Sequence, residues 1–333
     1  MLQVSIIIPM YNVSHFLKTC VESVLDQHMD DNAFEVLMID DGSPDDSKIV
    51  AEKLAEKHAF INVFSQENKG LGGARNTGIK NASGKYLVFL DADDILISDQ
   101  LLDIIQIAQV NALDILEFGA QHINESGEVL TTIAIDGKGE VLSGMNYYNA
   151  TKYMNSACNK LYRTEFMRNN NLLFLEQIYA EDFEFNTRSL FFAERVMATN
   201  TIAAQFLQST GSITRNRDKD KKDKYVEDLQ TILTKIDSFR QDQKSNTSVD
   251  KKLMDNYFME RISMGNLGLF FFLFKNNYSY KEIKEIRKNL IEKNLYQNSY
   301  KVSDKNRDLF RRVLLKNFFL FRFIQPLKKA IGQ

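Results

Sequence analysis

Five short apolar runs, at residues 4–9, 34–39, 61–64, 86–90 and 113–118, alternate with stretches of helical periodicity, and this alternation restricts the fold more than any other feature. The first run, Val4-Ser-Ile-Ile-Ile-Pro9, is β-branched and nearly continuous, as in a strand buried on both faces of a parallel sheet. Phe16, Leu17, Val21, Val24 and Leu25 then recur at helical spacing. Ile49 and Leu54 mark a second helix that Asp45 or Asp46 would cap, and residues 72–80 and 101–110 complete the series. The spacing predicts an α/β fold with an open, doubly wound, mostly parallel sheet flanked by helices. Ligands of such sheets bind beyond the carboxyl ends of the strands. Polar residues collect at those places: Tyr11-Asn12, Asp40-Asp41-Gly42-Ser43, Glu67-Asn68 and Asp91-Ala92-Asp93-Asp94.

After Phe118 the periodicity loosens into an expected hairpin at 129–142 and mixed segments to about Thr214. From Lys222 the pattern is helical, at 225–239, 251–274, 280–293 and 307–324. Two regions follow: 1–215, divided into halves 1–118 and 119–215, and a helical C-terminal region, 216–333. Charge divides similarly, with 15 Lys+Arg against 29 Asp+Glu in residues 1–210 and 27 against 15 in residues 211–333. The N-terminal apolar run is too short for a signal peptide and Pro9 interrupts it, and Cys20 and Cys158 show no pairing logic. Both readings point to a reduced, cytoplasmic protein. No apolar stretch approaches the roughly 20 residues of a spanning helix.

Three carboxylates within four positions, Asp91, Asp93 and Asp94, repel one another unless a cation sits among them. Hard oxygen ligands at the end of a buried strand suit Mn2+ or Mg2+ shared with substrate phosphates. An Asp-x-Asp alone is equally a turn or a helix cap.

Five motifs, in order, resemble those of the family 2 glycosyltransferases with the GT-A fold. They are Ser5-Ile-Ile-Ile-Pro-Met-Tyr-Asn12, Ile39-Asp-Asp-Gly-Ser43, Asn68-Lys-Gly-Leu-Gly-Gly-Ala-Arg-Asn-Thr-Gly78, Phe89-Leu-Asp-Ala-Asp-Asp94 and Ala180-Glu-Asp182. The resemblance covers about residues 1–215. It implies inverting transfer of a sugar from a nucleotide diphosphate sugar, UDP-linked, to an acceptor hydroxyl. It also implies a nucleotide site built from Pro9, Tyr11, Asn12, Asp40, Asp41, Asn68, Gly70, Arg75, Asp91 and Ala92. Within it a base would stack on Tyr11, and Asp40 would accept the uracil N3–H. Asp41 would serve the same site or cap the turn before Ser43. Asp93 would ligate the metal, and Asp91 would hold ribose or the metal shell. Arg75 would meet phosphate or pair with an acidic loop, and Asn76 would fix a loop. Asp182, beside Glu181, would be the general base. Read without the family, that pair is an ordinary acidic helix start.

Two departures from the family stand out. All four histidines, His15, His28, His58 and His122, precede the proposed base, so a late histidine ligand is missing. Phe206-Leu-Gln208 stands where many relatives carry Tyr-x-Arg before a Gly-Ser-Ile-Thr like that of residues 211–214.

The last expected helix, 307–324, sets Phe310, Val313, Leu314, Leu320, Phe321 and Ile324 against Arg311, Arg312, Lys316 and Arg322. Such a helix suits an anionic bilayer surface, the catalytic domain or a second copy in a homo-oligomer. The expected partners are a nucleotide-sugar donor and a glycan or lipid-linked glycan acceptor, in cell-surface or capsular polysaccharide synthesis at the inner membrane face. Nucleic acid is not expected, because the basic residues are scattered among acids. A nucleotidyltransferase and a non-catalytic nucleotide-sugar-binding scaffold are the rival readings.

Overall fold

The computed structural model describes residues 2–135, 139–151, 155–208, 218–245, 250–300 and 304–324. The chain forms two compact units, Met1–Asn216 and Arg217–Gln333.

In the first unit, β1 (Val4–Met10), β2 (Phe34–Asp40), β3 (Ile61–Ser65) and β4 (Tyr86–Phe89) form a parallel sheet in the order β3-β2-β1-β4. Every residue of β1 and β2 is buried, as their continuous apolar sequences require. The connecting helices are α1 (Leu17–Leu25), α2 (Ser47–Ala55) and α3 (Gly70–Asn81), and α4 (Leu101–Val110) follows β4 and a short strand, β5 (Ile95–Leu96). Small residues let α3 lie close to its neighbours. A Cβ on Gly78 would come within 2.4 Å of Ile7 of β1, and one on Gly72 within 2.2 Å of the Leu175 carbonyl oxygen.

Past β4 the sheet changes character. The expected strand at 113–118 is the longer β6 (Ile115–Ile123), and β9 (Val196–Leu207) runs parallel to it. Between β4 and β6 lies β8 (Lys160–Arg163), antiparallel to both. β5 closes the far edge antiparallel to β9, with Ile95 opposite Gln205. The expected hairpin is corrected: β7 (Val129–Ile133) pairs back onto β6, and no strand is assigned among the described residues of 134–142. Asn124 holds that turn, its side-chain oxygen accepting from the backbone of Ser126 and Glu128. Two short helices, α5 (Gly144–Ala150) and α6 (Thr164–Asn169), precede α7 (Glu181–Phe192). Phe174 stacks on Phe185 of α7 at 3.8 Å and meets Phe89 of β4 edge-on at 5.2 Å, which fixes α7 to the sheet.

The second unit contains α8 (Lys219–Asp242), α9 (Lys251–Lys275), α10 (Tyr280–Glu292) and α11 (Lys305–Phe310). α8 begins well before the apolar periodicity because Asp218 caps it, accepting from the backbone of Asp220 and Lys221. Asp250 caps α9, and Ser279 with Glu282 forms a capping box on α10. The single amphipathic helix expected at 307–324 is not continuous. After α11 the chain widens into a π turn over Arg311–Leu315 and tightens into a 3-10 turn over Phe318–Leu320. Phe310, Leu314, Leu315 and Phe321 are buried, Phe310 and Phe321 against Phe274 of α9. Arg311, expected on the polar side, is also buried, paired with Asp308 at 2.7 Å. No helix among the described residues is long and apolar enough to cross a membrane.

Candidate active site

The loops that follow the parallel strands meet at one rim. Beyond β1, Tyr11 is 51% exposed and Asn12 takes a left-handed conformation at φ 58°, while Pro9 stays buried inside the strand. The loop after β2 laces this turn in place. Ser47 Oγ accepts from Val13 N at 3.0 Å, and Asp45 Oδ2 accepts from Ser14 N at 3.0 Å. Asp45 is held down at about 2: its hydrogen bonds from Ser47 and Ser14 override the upward push of burial.

The two acids after β2 divide the work differently from expectation. Asp40, the last residue of β2, accepts from Ser43 N at 3.2 Å, so the turn is closed by Asp40 and not by Asp41. Asp41 reaches the next loop, where its Oδ1 accepts from Gln66 Nε2 at 2.7 Å and Lys69 N at 2.8 Å. Its partners are therefore loop groups. Asn68 accepts from Gly70 N at 3.2 Å, and Gly70 opens α3 at φ +74°. Asn76 exchanges two hydrogen bonds with the backbone of Phe174, at 3.0 and 2.7 Å.

Arg75 of α3 is the hub. Its side chain is 1% exposed, lying within 5.8 Å of the Phe89 ring and 5.2 Å of the Phe174 ring. One terminal nitrogen donates to Glu181 Oε1 at 2.8 Å and Asp182 Oδ1 at 2.7 Å; the other donates to Asp91 Oδ1 at 2.8 Å. Burial opposes the guanidinium charge, but Asp91 and Asp182, with Glu181, override it and hold the group well above its ordinary value. Of the two expectations for Arg75, the geometry provides pairing with acidic loops: both terminal nitrogens are engaged by carboxylates.

The Asp91–Asp94 loop is a tight turn, with Asp94 N donating to Asp91 O at 2.9 Å. Ala92 is buried. Asp94 is also buried and accepts from Leu207 N at 2.8 Å, tying the loop to the end of β9; burial and the carboxylates of Asp91 and Asp93 push its proton affinity up. Asp93 is partly exposed, and no Lys or Arg among the described residues pairs with it. Burial and the charge of Asp91 raise it to about 6. A half-buried carboxylate under like-charge repulsion fits a divalent cation. Among the described residues no three His, Cys, Asp or Glu side chains form a metal-holding group, so such an ion would complete its shell with diphosphate and water.

Glu181 and Asp182 open α7 after Ala180, whose φ of 62° turns the chain into the helix. Asp182 is the more accessible, with 20% of its side chain exposed against 8% for Glu181. Burial and then Asp182 push Glu181 up to about 8, against the pull of Arg75. The second oxygen of Asp182 accepts from Ala157 N at 2.9 Å.

That last contact has no counterpart in the motif reading. The segment before β8 contributes Ala157, and Cys158 Sγ lies 3.5 Å from Arg75. Behind them Lys160 is fully buried, 3.2 Å from Glu117 Oε1, and donates to Ser156 O at 2.6 Å. Tyr147 donates to Glu117 as well. Burial lowers Lys160, and Glu117 opposes that shift. A lysine beside Leu161-Tyr162 in a short apolar stretch is a signal for such a buried pair. Nothing in the sequence marks Ala157, because it acts through its backbone.

Residues 5–169 match the family model described as glycosyl transferase family 2. A 205-residue stretch is 38% identical to the uncharacterized glycosyltransferase EpsJ of Bacillus subtilis, covering 58% of this chain and 57% of that one. A 220-residue stretch is 29% identical to the uncharacterized glycosyltransferase YibD of Escherichia coli, covering 64% and 63%. The chain thus spans less than two thirds of these relatives. The fold is similar to that of S. aureus TarS. Its residues 1–349 in complex with UDP-GlcNAc align with TM-score 0.65 at 18% identity, over 100% of this chain and 93% of that one. The same TarS segment in complex with UDP aligns with TM-score 0.60 at 21% identity, over 79% and 71%. The 211–214 motif lies outside the described residues.

Proposed function

We propose that this chain is an inverting GT-A glycosyltransferase that moves a hexose-type sugar from a UDP-linked donor to an acceptor hydroxyl. The observation that carries the reading is the Arg75 hub, which brings the post-β4 carboxylate Asp91 and the α7 carboxylate Asp182 onto one buried cation. The TarS complexes with UDP and UDP-GlcNAc support the donor class. The acceptor is a glycan or lipid-linked glycan of cell-surface or capsular polysaccharide synthesis, met at the cytoplasmic face of the membrane.

In this mechanism the nucleobase stacks on Tyr11, and Asp40 accepts its N3–H while keeping the bond from Ser43 N, since a carboxylate offers about four lone-pair sites. Asp182 takes the proton of the acceptor hydroxyl. That oxygen attacks C1 of the sugar, and the C1–O bond to the diphosphate breaks on the opposite face, which inverts the centre. Arg75 and Ala157 N–H fix the two oxygens of Asp182, so the base is aimed before the acceptor arrives. Glu181, deeper and carrying a proton near neutral pH, stays out of the reaction. Asp93, with Asp91 on the nucleotide side, would hold Mn2+ or Mg2+, which would neutralise the departing diphosphate.

Incubation with Mn2+, a panel of UDP-sugars and acceptor glycans should release UDP; release of pyrophosphate would instead identify a nucleotidyltransferase. Asp182→Asn should bind UDP as the parent does and lose about 100- to 10,000-fold in transfer rate. Normal transfer by that variant would remove Asp182 as the base.

A further inference from the structure

The broken C-terminal segment leaves an exposed surface with a specific composition. Of the twelve exposed large hydrophobic side chains among the described residues, four fall between positions 309 and 323: Leu309, Val313, Phe319 and Phe323. They include both of the exposed phenylalanines, at 61% and 59%. Scattered single apolar residues need no partner, but a cluster within fifteen positions is a different matter. Lys316 and Arg322 fall in the same stretch of sequence as the two phenylalanines, both exposed and with no carboxylate partner among the described residues. The nearby acid, Asp308, is buried between Arg311 and Arg312, at 2.7 and 3.0 Å, so it does not offset them.

Of the expected apolar face, Val313 is left open at 40% exposure. Phe310, Leu314 and Phe321 of that face are used internally. The exposed aromatics, Phe319 and Phe323, were not part of that face, and they share the segment with an exposed lysine and arginine. Aromatic side chains among unpaired cations match the interfacial zone of an anionic bilayer, where the rings enter the acyl boundary and the cations meet lipid phosphates.

We infer that residues 309–323 form a membrane-surface contact specific for anionic lipid, with Phe319 and Phe323 as the inserted groups and Lys316 and Arg322 as the headgroup contacts. This inference stands apart from the transfer reaction and is tested without it. The full chain is sedimented with vesicles of phosphatidylcholine alone and of an equimolar phosphatidylglycerol–phosphatidylcholine mixture. It should bind the mixture, and binding should weaken as salt rises from about 0.1 M to about 1 M, which shortens the screening length from about 10 to about 3 Å. Lys316→Ala with Arg322→Ala should weaken binding roughly 25-fold, at about five-fold per cation. Phe319→Ser with Phe323→Ser should abolish retention at high salt, whereas Val110→Ser, which removes the 85% exposed valine, should change nothing. All these side chains are exposed, so the variants should melt with the parent. Equal binding to both vesicle types, no binding to the anionic ones, or parental binding by the phenylalanine variant would each overturn the inference. So would light scattering that shows a dimer which the phenylalanine variant converts to a monomer while vesicle binding persists, since the surface would then join two copies.

Discussion

Asp93 and Glu181 are both acids raised above their ordinary range, but for different uses. Asp93 reaches the rim, and no Lys or Arg among the described residues pairs with it, which is the condition a metal relieves. Asp93→Ala should weaken Mn2+-dependent UDP binding by at least about 10-fold while leaving metal-free binding unchanged. Calorimetry that finds equal UDP affinity in variant and parent, with and without Mn2+, would end the ligand assignment. Glu181 is instead enclosed, and its raised value makes stability pH-dependent. Below 4.5, its ordinary value, folded and unfolded chains both carry the proton. Between 4.5 and about 8 the unfolded chain releases it and the folded chain retains it, so stability falls as pH rises across that window. Glu181→Gln keeps the volume and removes the titration. Its melting temperature should therefore decline less steeply than the parent's across this range, and parallel curves would show that Glu181 is not the group responsible.

At the scale of elements, α3 shows why some of the site was readable and some was not. Its glycines announced a close approach, but not to what. The approach at Gly72 is to the Leu175 carbonyl, in the stretch that leads toward α7. Gly72→Ala should cost about 1–3 kcal/mol, because the obstacle is backbone and cannot rotate away. A denaturant midpoint equivalent to less than about 0.5 kcal/mol of change would show that the stretch yields more easily than its packing implies. Asp40, Asp91 and Asp182 could be picked out for a related reason: each lies at or just past a strand end or in the first turn of a helix, and those boundaries are written in periodicity. Arg75 could be singled out from the sequence, but its partner could not. An arginine on a glycine-rich helix can face outward to phosphate or inward to carboxylates, and the choice depends on Phe89 and Phe174, whose arrival beneath it is a tertiary event. β8 escaped because four residues bearing a lysine and an arginine give no period-2 pattern. The π turn at 311–315 escaped because helical periodicity continues smoothly through its sequence, while burial of Arg311 with Asp308 redirects the backbone's other side chains.

For the molecule as a whole, the two compact units each have their own core: the aromatic cluster around Phe185 in the first, and Tyr257, Phe258 and Phe270 in the second. The charge imbalance read from the sequence follows this partition, acidic in the first unit and basic in the helical second. Within the first unit, the direction of β8 sets what can be altered independently. Because it runs against β4 and β6, its leading end lies at the rim where the parallel strands finish, and that is how Ala157 comes to meet Asp182. Chain entering β8 through Ala157 therefore joins the rim, whereas chain leaving it after Arg163 continues at the opposite end of the strands. That asymmetry separates two kinds of edit: under the proposed function, changes at 155–159 would act on the rim wall beside Asp182, while the loops after β1 to β4, carried by other strands, keep their sequence.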